Sequence, residues 1–220
     1  MNTALLVIFS YALGSIPTGY WVVKALTGID LRTVGSGSTG ATNVLRNAGK
    51  PAAAFVFVID ILKGWLPVTL AIHAVRSGAV PELPSMLMPW LPCVCGILAV
   101  IAHSKSIFLN FKGGKGAATG CGTLIGCSAA AGFTSLGFWA LVLAVTKIVS
   151  MASLAAAIAC GPFMWLYTHD DPLFGLSFPV YATIGSLYVI VLHRANIQRL
   201  LKGIEPRIGQ KNEDVARTRG

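Results

Sequence analysis

The chain has 220 residues, of which 55% are hydrophobic and only 11% are charged, against roughly 25% charged residues in a typical soluble domain. These proportions exclude a soluble globular protein and indicate an integral membrane protein. The formal net charge of +9 does not predict a nucleic-acid-binding surface, because the basic residues occur in blocks between apolar runs, as in loops beside an anionic lipid leaflet.

Seven apolar runs approach the length of about 20 residues that a helix needs to cross a bilayer. They lie near residues 3–25, 52–73, 86–103, 116–132, 133–149, 151–168 and 175–192. Only Gly132 and Thr134 indicate a turn between the fourth run and the fifth. The predicted fold is therefore an all-α integral membrane protein, with seven transmembrane helices in one domain, residues 1–209.

The basic residues predict the orientation of this bundle. With the N-terminus outside, 15 of the 17 Lys and Arg residues fall in cytoplasmic segments, and only Lys63 and Arg76 do not, as the positive-inside rule requires. After the last run, apolar residues recur at helical spacing from Ile197 to Ile204, which predicts an interfacial amphipathic helix before a cytoplasmic C-terminus. Residues 210–220 are predicted to be disordered.

The loop from Gly35 to Asn43, with sequence GSGSTGATN, precedes Arg46. Its glycines allow backbone N–H groups to converge, and its hydroxyl groups and the guanidinium of Arg46 can donate hydrogen bonds to phosphate oxygens. The loop also matches the dinucleotide pattern G-x-G-x-x-G, but the segment before it is polar, and Asp60 lies in an apolar run. Ala41 occupies the position of the lysine in a Walker loop. A nucleotide-binding domain is therefore excluded.

Three other segments on the predicted cytoplasmic side carry polar candidates. Gly113 and Gly114 expose Lys115, which either binds an anionic ligand or only fixes topology beside lipid headgroups. His193 and Asn196 share a helical face, so both can reach one ligand, although a lone histidine is more often a hydrogen-bonded structural residue. Ser150 lies at a turn, where a helix cap is the usual role of a serine.

Asp60 and Lys63 lie three residues apart inside the second apolar run. Ionisable residues within a membrane span are often functional. This spacing, however, lets the two side chains neutralise each other on one helix face. We interpret them as a structural pair, or as support for the polar loops.

Four motifs occur in order along almost the whole chain: GSIPTGY at 14–20, GSGSTGATNVLR at 35–46, FKGGKGAAT at 111–119 and HRANIQRLLKGIE at 193–205. Together they resemble the bacterial acyl-phosphate:glycerol-3-phosphate acyltransferase family. The resemblance implies a seven-span enzyme of the bacterial cell membrane with its active site facing the cytoplasm. It would transfer a fatty acyl group from acyl phosphate to the 1-hydroxyl of sn-glycerol 3-phosphate, giving lysophosphatidic acid and phosphate, the first step of phospholipid biosynthesis.

The resemblance also implies the residues that act on the substrates. Motif matching assigns the catalytic positions to Ser36, Arg46, Lys115, His193 and Asn196, and the substrate-binding positions to Gly35, Gly37, Thr42, Asn43, Gly113, Gly114 and Ser150. Ser153, one helical turn from Ser150, competes for that position. Ser38 departs from the family, which usually has asparagine there. The implied partners are the two small-molecule substrates and membrane lipid, with no cofactor, metal, nucleic acid or obligate protein partner.

The residue types suit this reaction. Both substrates carry a phosphate, and acyl phosphate already has a good leaving group, so the protein has mainly to align the reactants and stabilise charge. The acyl-CoA enzymes with an H-x-x-x-x-D motif are excluded, because no histidine here has aspartate five residues later. A transporter of a phosphorylated metabolite is a rival interpretation, but it predicts an internal repeat that the sequence lacks. A lipid-binding scaffold would not explain the serine- and glycine-rich loop.

Overall fold

The computed structural model describes residues 2–210, and these residues form helices and loops without any β-strand. The predicted all-α architecture is confirmed. Nine α-helices follow one another in the described part: α1 Thr3–Ser15, α2 Thr18–Thr27, α3 Ala41–Arg76, α4 Leu91–Ser104, α5 Ala117–Cys127, α6 Ala129–Thr146, α7 Val149–Thr168, α8 Ser177–Leu192 and α9 Arg194–Leu201. Short 3-10 turns lie at Leu31–Thr33, Ser85–Trp90 and Ile107–Leu109.

Five helical segments of the described chain are long and apolar enough to cross a membrane: Thr3–Thr27, Ala41–Arg76, Ser85–Leu109, Ala129–Thr146 and Val149–Thr168. A sixth is obtained if α8 and α9, which are bent by 63° relative to each other, count as one span. The fourth predicted span is instead the 11-residue helix α5. At 1.5 Å per residue α5 is about 16 Å long, roughly half of the hydrocarbon thickness of a bilayer. The predicted tail of 210–220 lies, except for Gln210, outside the described residues.

The first span is broken between α1 and α2 at Ile16 and Pro17. Pro17 has no N–H to donate, so the helix cannot continue through it without losing a hydrogen bond. After the break, α2 passes so close to the polar loop that a Cβ added at Gly19 would lie 1.9 Å from the carbonyl oxygen of Thr39. The break therefore brings α2 against the loop that carries the first phosphate-binding motif.

Helix α3 is the longest helix of the described chain; it follows the first polar loop and packs against α5, which follows the second. A kink at Gly49, whose φ of 82° lies in the left-handed region, separates the first two turns of α3 from the rest of the helix, and Pro51 follows the kink. The second apolar run was predicted to begin near residue 52, which is just after this kink, whereas the helix itself begins at Ala41. Further along, a Cβ at Gly64 would lie 2.1 Å from the carbonyl oxygen of Thr119, and one at Gly122 would lie 1.9 Å from that of Ile61. Small residues thus allow α3 and α5 to pack backbone to backbone.

The expected pairing of Asp60 with Lys63 is present in α3. Lys63 Nζ lies 2.8 Å from Asp60 Oδ1, with both side chains at most 3% exposed, and it also donates a hydrogen bond of 2.9 Å to the carbonyl oxygen of Ile16. His103 Nδ1 of α4 lies 3.7 Å from the same Asp60 oxygen. The pair therefore links α3 and α4 to the break between α1 and α2.

We expect Lys63→Met to lower the free energy of unfolding by about 3–5 kcal/mol, because it leaves the buried carboxylate of Asp60 without its cation. The double variant Asp60→Asn with Lys63→Met should recover most of that loss, since no buried charge remains. Thermal unfolding of the purified variants in one detergent measures both effects. Arg32→Met is the control, because the pair of Arg32 with Asp30 is about 30% exposed, and solvent screens such a surface pair, so its loss should hardly change the unfolding temperature. Equal unfolding temperatures for the single and double variants would contradict this interpretation.

Candidate active site

One cavity of about 360 Å³ opens at the end of the bundle where α4 meets α5, α6 meets α7 and α8 meets α9. Its polar end brings together side chains that are as much as 169 residues apart in the sequence, from Ser36 to Glu205. Among the predicted site residues, those that line the cavity are Ser36, Thr42, Asn43, Arg46, Lys115, Ser150, His193 and Asn196. The sequence therefore predicted residues that the fold does gather at one place.

Asn43 organises the loop that precedes α3. The two N–H donors of its side-chain amide are shared among the carbonyl oxygens of Leu31, Val34 and Ser38, which lie 2.9–3.2 Å from Nδ2, while its Oδ1 accepts from the backbone N–H of Ser36 at 3.3 Å. Because Asn43 is only 1% exposed and its polar atoms are engaged, it shapes the site by holding the backbone of the loop. Ser36 and Arg46 remain directed to the cavity.

The four predicted glycines do not line the cavity, but the loops require them. Gly35 and Gly37 have φ values of 60° and 67°, which only glycine adopts readily. A Cβ at Gly35 would lie 2.2 Å from Asn43 Oδ1. Likewise a Cβ at Gly113 would lie 2.2 Å from the carbonyl oxygen of His103, and one at Gly114 would lie 2.0 Å from its Nε2. Their direct role in binding substrate stays a prediction.

Ser38 also lines the cavity, at the position where the family resemblance leads us to expect asparagine. Its hydroxyl oxygen accepts a long hydrogen bond of 3.4 Å from the backbone N–H of Gly40, and its carbonyl oxygen accepts from Asn43. Ser38 thus belongs to the internal hydrogen bonding of the loop.

A chain of hydrogen bonds joins the polar groups at the opposite wall of the cavity. Lys115 Nζ donates to Asn196 Oδ1, Asn196 Nδ2 donates to Glu205 Oε1 at 2.6 Å, and Ser150 Oγ donates to the same carboxylate oxygen at 2.7 Å. Arg199 Nε binds the other oxygen of Glu205 at 2.6 Å. Burial alone would raise the pKa of Glu205, but the hydrogen bonds from Ser150, Asn196 and Arg199 lower it. Glu205 is therefore a carboxylate that fixes Asn196 and, through it, Lys115.

Sequence reasoning missed Glu205 and Arg199, which both line the cavity. A signal was present for Glu205, because it is the sole acidic residue between Asp171 and Glu213 and lies in an otherwise basic tail.

The structure also distinguishes the two candidate serines, Ser150 and Ser153. Ser150 contacts the Glu205 network, whereas Ser153 Oγ accepts from the indole N–H of Trp139 at 3.2 Å. Ser150 lies inside α7, whose N-cap residue is Ile148, so it is not the helix cap.

His193 ends α8 at the 63° bend before α9. Its Nδ1 lies 2.8 Å from the carbonyl oxygen of Val189, and since a carbonyl only accepts, the proton is on Nδ1 in the neutral ring. Burial lowers the pKa of His193, which keeps the ring neutral at pH 7 with Nε2 as an acceptor. Asn196 lies three residues later on the same side and also lines the cavity.

The pKa of Lys115 is lowered from 10.5 to about 8, mainly by burial and also by the charges of Arg199 and Arg46, while the carboxylate of Glu205 raises it in part. If the ammonium binds a substrate phosphate, kcat/KM for that substrate should fall as the pH rises through about 8. Below this pH the ammonium is present, and phosphate monoesters are already dianions above their second pKa of about 6. Initial rates from pH 6 to 10 measure the fall, and Lys115→Arg should move it to higher pH in whatever activity that variant retains. A flat profile up to pH 10 would contradict this role.

The rest of the cavity runs between α3, α5, α6, α7 and α8 and is lined mainly by apolar side chains, although Asp60, His103, Ser135 and Ser153 also contribute to its wall. Large side chains such as Phe57 and Trp139 line it, and small residues such as Ala156, Ala157 and Ala182 keep it open. Within residues 2–210, no group of three or more His, Cys, Asp or Glu side chains is close enough to hold a metal ion. The site thus combines a cationic, hydrogen-bonding end with an apolar body.

Comparison with known proteins identifies the class to which this arrangement belongs. Residues 4–203 match the family model described as glycerol-3-phosphate acyltransferase. The glycerol-3-phosphate acyltransferase of Trichormus variabilis is 46% identical over 213 residues, which cover 93% of this chain and 91% of the relative. That of Synechocystis is 43% identical over 100% of this chain and 99% of its own length. The chain belongs to the glycerol-3-phosphate acyltransferase family, and the family predicted from the four motifs is confirmed.

Solved structures agree with this assignment. The crystal structure of PlsY, an integral membrane glycerol 3-phosphate acyltransferase, in its glycerol 3-phosphate form has 36% sequence identity and a TM-score of 0.81, covering 94% of this chain and 96% of that protein. The structure of the same protein in its lysophosphatidic acid form has 35% sequence identity to this chain and a TM-score of 0.76. The chain is therefore an integral membrane, multi-pass acyltransferase, as predicted.

Proposed function

We propose that this protein transfers the acyl group of a fatty acyl phosphate to the 1-hydroxyl of sn-glycerol 3-phosphate, giving lysophosphatidic acid and inorganic phosphate. The observation that carries the proposal is the single cavity that joins Arg46 and Lys115 to a long apolar body. An acyl phosphate has the matching form, with an anionic head and a hydrocarbon chain. The relatives named after glycerol 3-phosphate support the acceptor, and the motif resemblance supports the donor.

In this reaction the 1-hydroxyl oxygen attacks the acyl carbonyl carbon, the bond from that carbon to the phosphate oxygen breaks, and phosphate leaves with the bonding electron pair. The hydroxyl proton goes to a phosphate oxygen of the substrates. Direct transfer is supported because no hydrogen bond joins a cavity serine to His193 among the described residues, so none is activated as a nucleophile. Recovery of a covalent acyl-serine with radiolabelled donor would overturn direct transfer.

The chain's own groups supply alignment and charge stabilisation. Arg46 and Lys115 bind phosphate oxygens, and the hydroxyl of Ser36 donates to them from the facing loop. Asn196, fixed by Glu205, holds the Lys115 ammonium in place. The unprotonated Nε2 of His193 accepts a hydrogen bond from a hydroxyl group of glycerol 3-phosphate. This contact orients the glycerol 3-phosphate toward the acyl carbonyl carbon. Preorganised cations and donors of this kind stabilise negative charge as it develops, without reorganisation cost.

We place the protein in a bacterial cell membrane with seven crossings, the N-terminus outside and the cavity mouth facing the cytoplasm. The short helix α5 crosses together with α6, and the turn between them satisfies its own backbone: Ser128 N donates to Leu124 O at 2.9 Å, and Gly132 N donates to Ser128 O at 2.9 Å. A turn with paired backbone groups is compatible with burial at membrane depth. Catalysis by this design needs no cofactor and no obligate protein partner.

Phosphate release by the purified protein tests the reaction and its donor together. The protein in detergent or lipid is given glycerol 3-phosphate with either palmitoyl phosphate or palmitoyl-CoA, and lysophosphatidic acid is measured by mass spectrometry. We expect both products with palmitoyl phosphate alone. Turnover only with palmitoyl-CoA would overturn the donor, and folded protein that is inactive with both would overturn the reaction.

A further inference from the structure

The apolar part of the cavity has a measurable depth along its two longest walls. On α7 the lining residues run from Ser150 to Cys160, and on α8 they run back from His193 to Tyr181. At 1.5 Å per residue these walls are about 15 Å and 18 Å long. The cavity is therefore a groove with a polar mouth and a distinct inner end.

The inner end is closed by side chains that bind one another. The hydroxyl of Tyr181 donates to Thr123 Oγ1, and Cys160 Sγ lies 2.9 Å from Ser186 Oγ. Tyr181 and Cys160 are only 3% and 5% exposed. Because these polar atoms are satisfied by each other, they present no unpaired group to the end of a hydrocarbon chain. This floor, defined by Cys160 and Tyr181 at the inner ends of the two walls, limits how far a chain can enter.

Above the floor, the groove is kept open by a glycine that packing does not require. A Cβ at Gly185 would meet no atom within 4 Å, in contrast to Gly96 and Gly161, whose Cβ atoms would lie 2.6 Å and 2.8 Å from neighbouring side chains. Gly185 lines the cavity, eight residues or about 12 Å from His193 along α8. The missing side chain thus leaves space in the groove about two-thirds of the way to the floor.

We propose that this groove selects the acyl donor by chain length, with the bare backbone at Gly185 admitting long chains past that level and the Cys160–Tyr181 floor stopping them. The inference rests on the proposed function, because it assigns the groove to the acyl chain. A side chain at position 185 blocks the lower third, so that only short chains fit. A larger side chain at position 160 raises the floor by less and excludes only the longest chains.

The test is the ratio of kcat/KM values among palmitoyl, dodecanoyl and octanoyl phosphate, for wild type, Gly185→Leu and Cys160→Trp. For Gly185→Leu we expect the ratio of kcat/KM for palmitoyl phosphate to kcat/KM for octanoyl phosphate to fall about tenfold or more, because the added side chain occupies space that a long acyl chain needs. For Cys160→Trp we expect palmitoyl phosphate to lose most and octanoyl phosphate least. Gly137→Leu is the matched control, because its Cβ also meets no atom within 4 Å but the residue is exposed on α6 and does not line the groove. Its ratios should equal those of wild type.

Each result has a defined consequence. An unchanged ratio in both groove variants, or an equal loss for all three donors, would overturn selection by this groove. If Gly185→Leu does not fold, the ratio in Cys160→Trp decides alone. Wild type that uses none of the three acyl phosphates would instead refute the proposed function, and the selection inference with it.

Discussion

Lys115→Ala is expected to abolish acyl transfer, with kcat/KM for glycerol 3-phosphate reduced by at least about a hundredfold to a thousandfold, the usual cost of removing a preorganised donor. The ammonium lies in the cavity, bound to Asn196 Oδ1, and its loss leaves substrate phosphate without one of its two cations there. Insertion should be unaffected, because Lys115 precedes α5. The measurement is phosphate release at equal amounts of membrane-extracted, folded protein.

Lys112→Ala is the matched control, because it removes the same charge from the same loop. Lys112 is exposed and does not line the cavity, so its variant should retain activity within about twofold, as for a charge at the surface. Near-normal turnover by Lys115→Ala, or equal losses in the two variants, would show that the site is wrongly placed and that the loop acts only through its net charge.

Glu205→Gln should reduce kcat by about a hundredfold and destabilise the protein by about 1–3 kcal/mol. The carboxylate accepts hydrogen bonds from Ser150, Asn196 and Arg199. An amide replaces one of its oxygens with a donor that has no acceptor there. Asn196 then no longer holds the ammonium group of Lys115 in its position in the cavity. Steady-state kinetics and thermal unfolding of the same preparation report the two effects.

Glu82→Gln controls for the loss of a carboxylate. Glu82 accepts hydrogen bonds from Thr3, 79 residues away, but it is exposed and lies outside the cavity. We expect unchanged turnover in this variant. Glu205→Gln with full activity, or Glu82→Gln with an equal loss, would refute a specific role of the Glu205 network.

The grouping of the polar motifs could be predicted from the sequence because the predicted topology places them on one side of the membrane. Apolar runs and basic loops predict the same side for residues as distant as Arg46 and His193, and both line one cavity. Glu205 escaped this reasoning because its role depends on the chain folding back after α9. The hydrogen bond of 2.8 Å from Ile208 N to Lys147 O shows that the chain returns to the start of α7. The periodicity of apolar residues in the sequence does not predict such a contact.

The glycines of the two loops show the other limit. The sequence suggested that Gly113 and Gly114 expose Lys115 to a ligand, and the structure shows that Gly114 also makes room for the ring of His103, which lies on α4. A glycine needed for a ligand and a glycine needed for a neighbouring helix look identical in one sequence. The end of α5 was obscured for a similar reason, since Ser128 begins α6 as its N-cap within a run that remains apolar on both sides.

The brevity of α5 has a consequence for how the chain enters the membrane during synthesis. An isolated segment of 11 residues is about half the length that partitions stably as a span. In a nascent chain that ends shortly after Cys127, the α5 segment itself should therefore not be retained in the bilayer, although the three earlier spans hold the chain there. Integration of α5 should occur only when α6 has also left the ribosome, so that the two helices enter the membrane together as one hairpin.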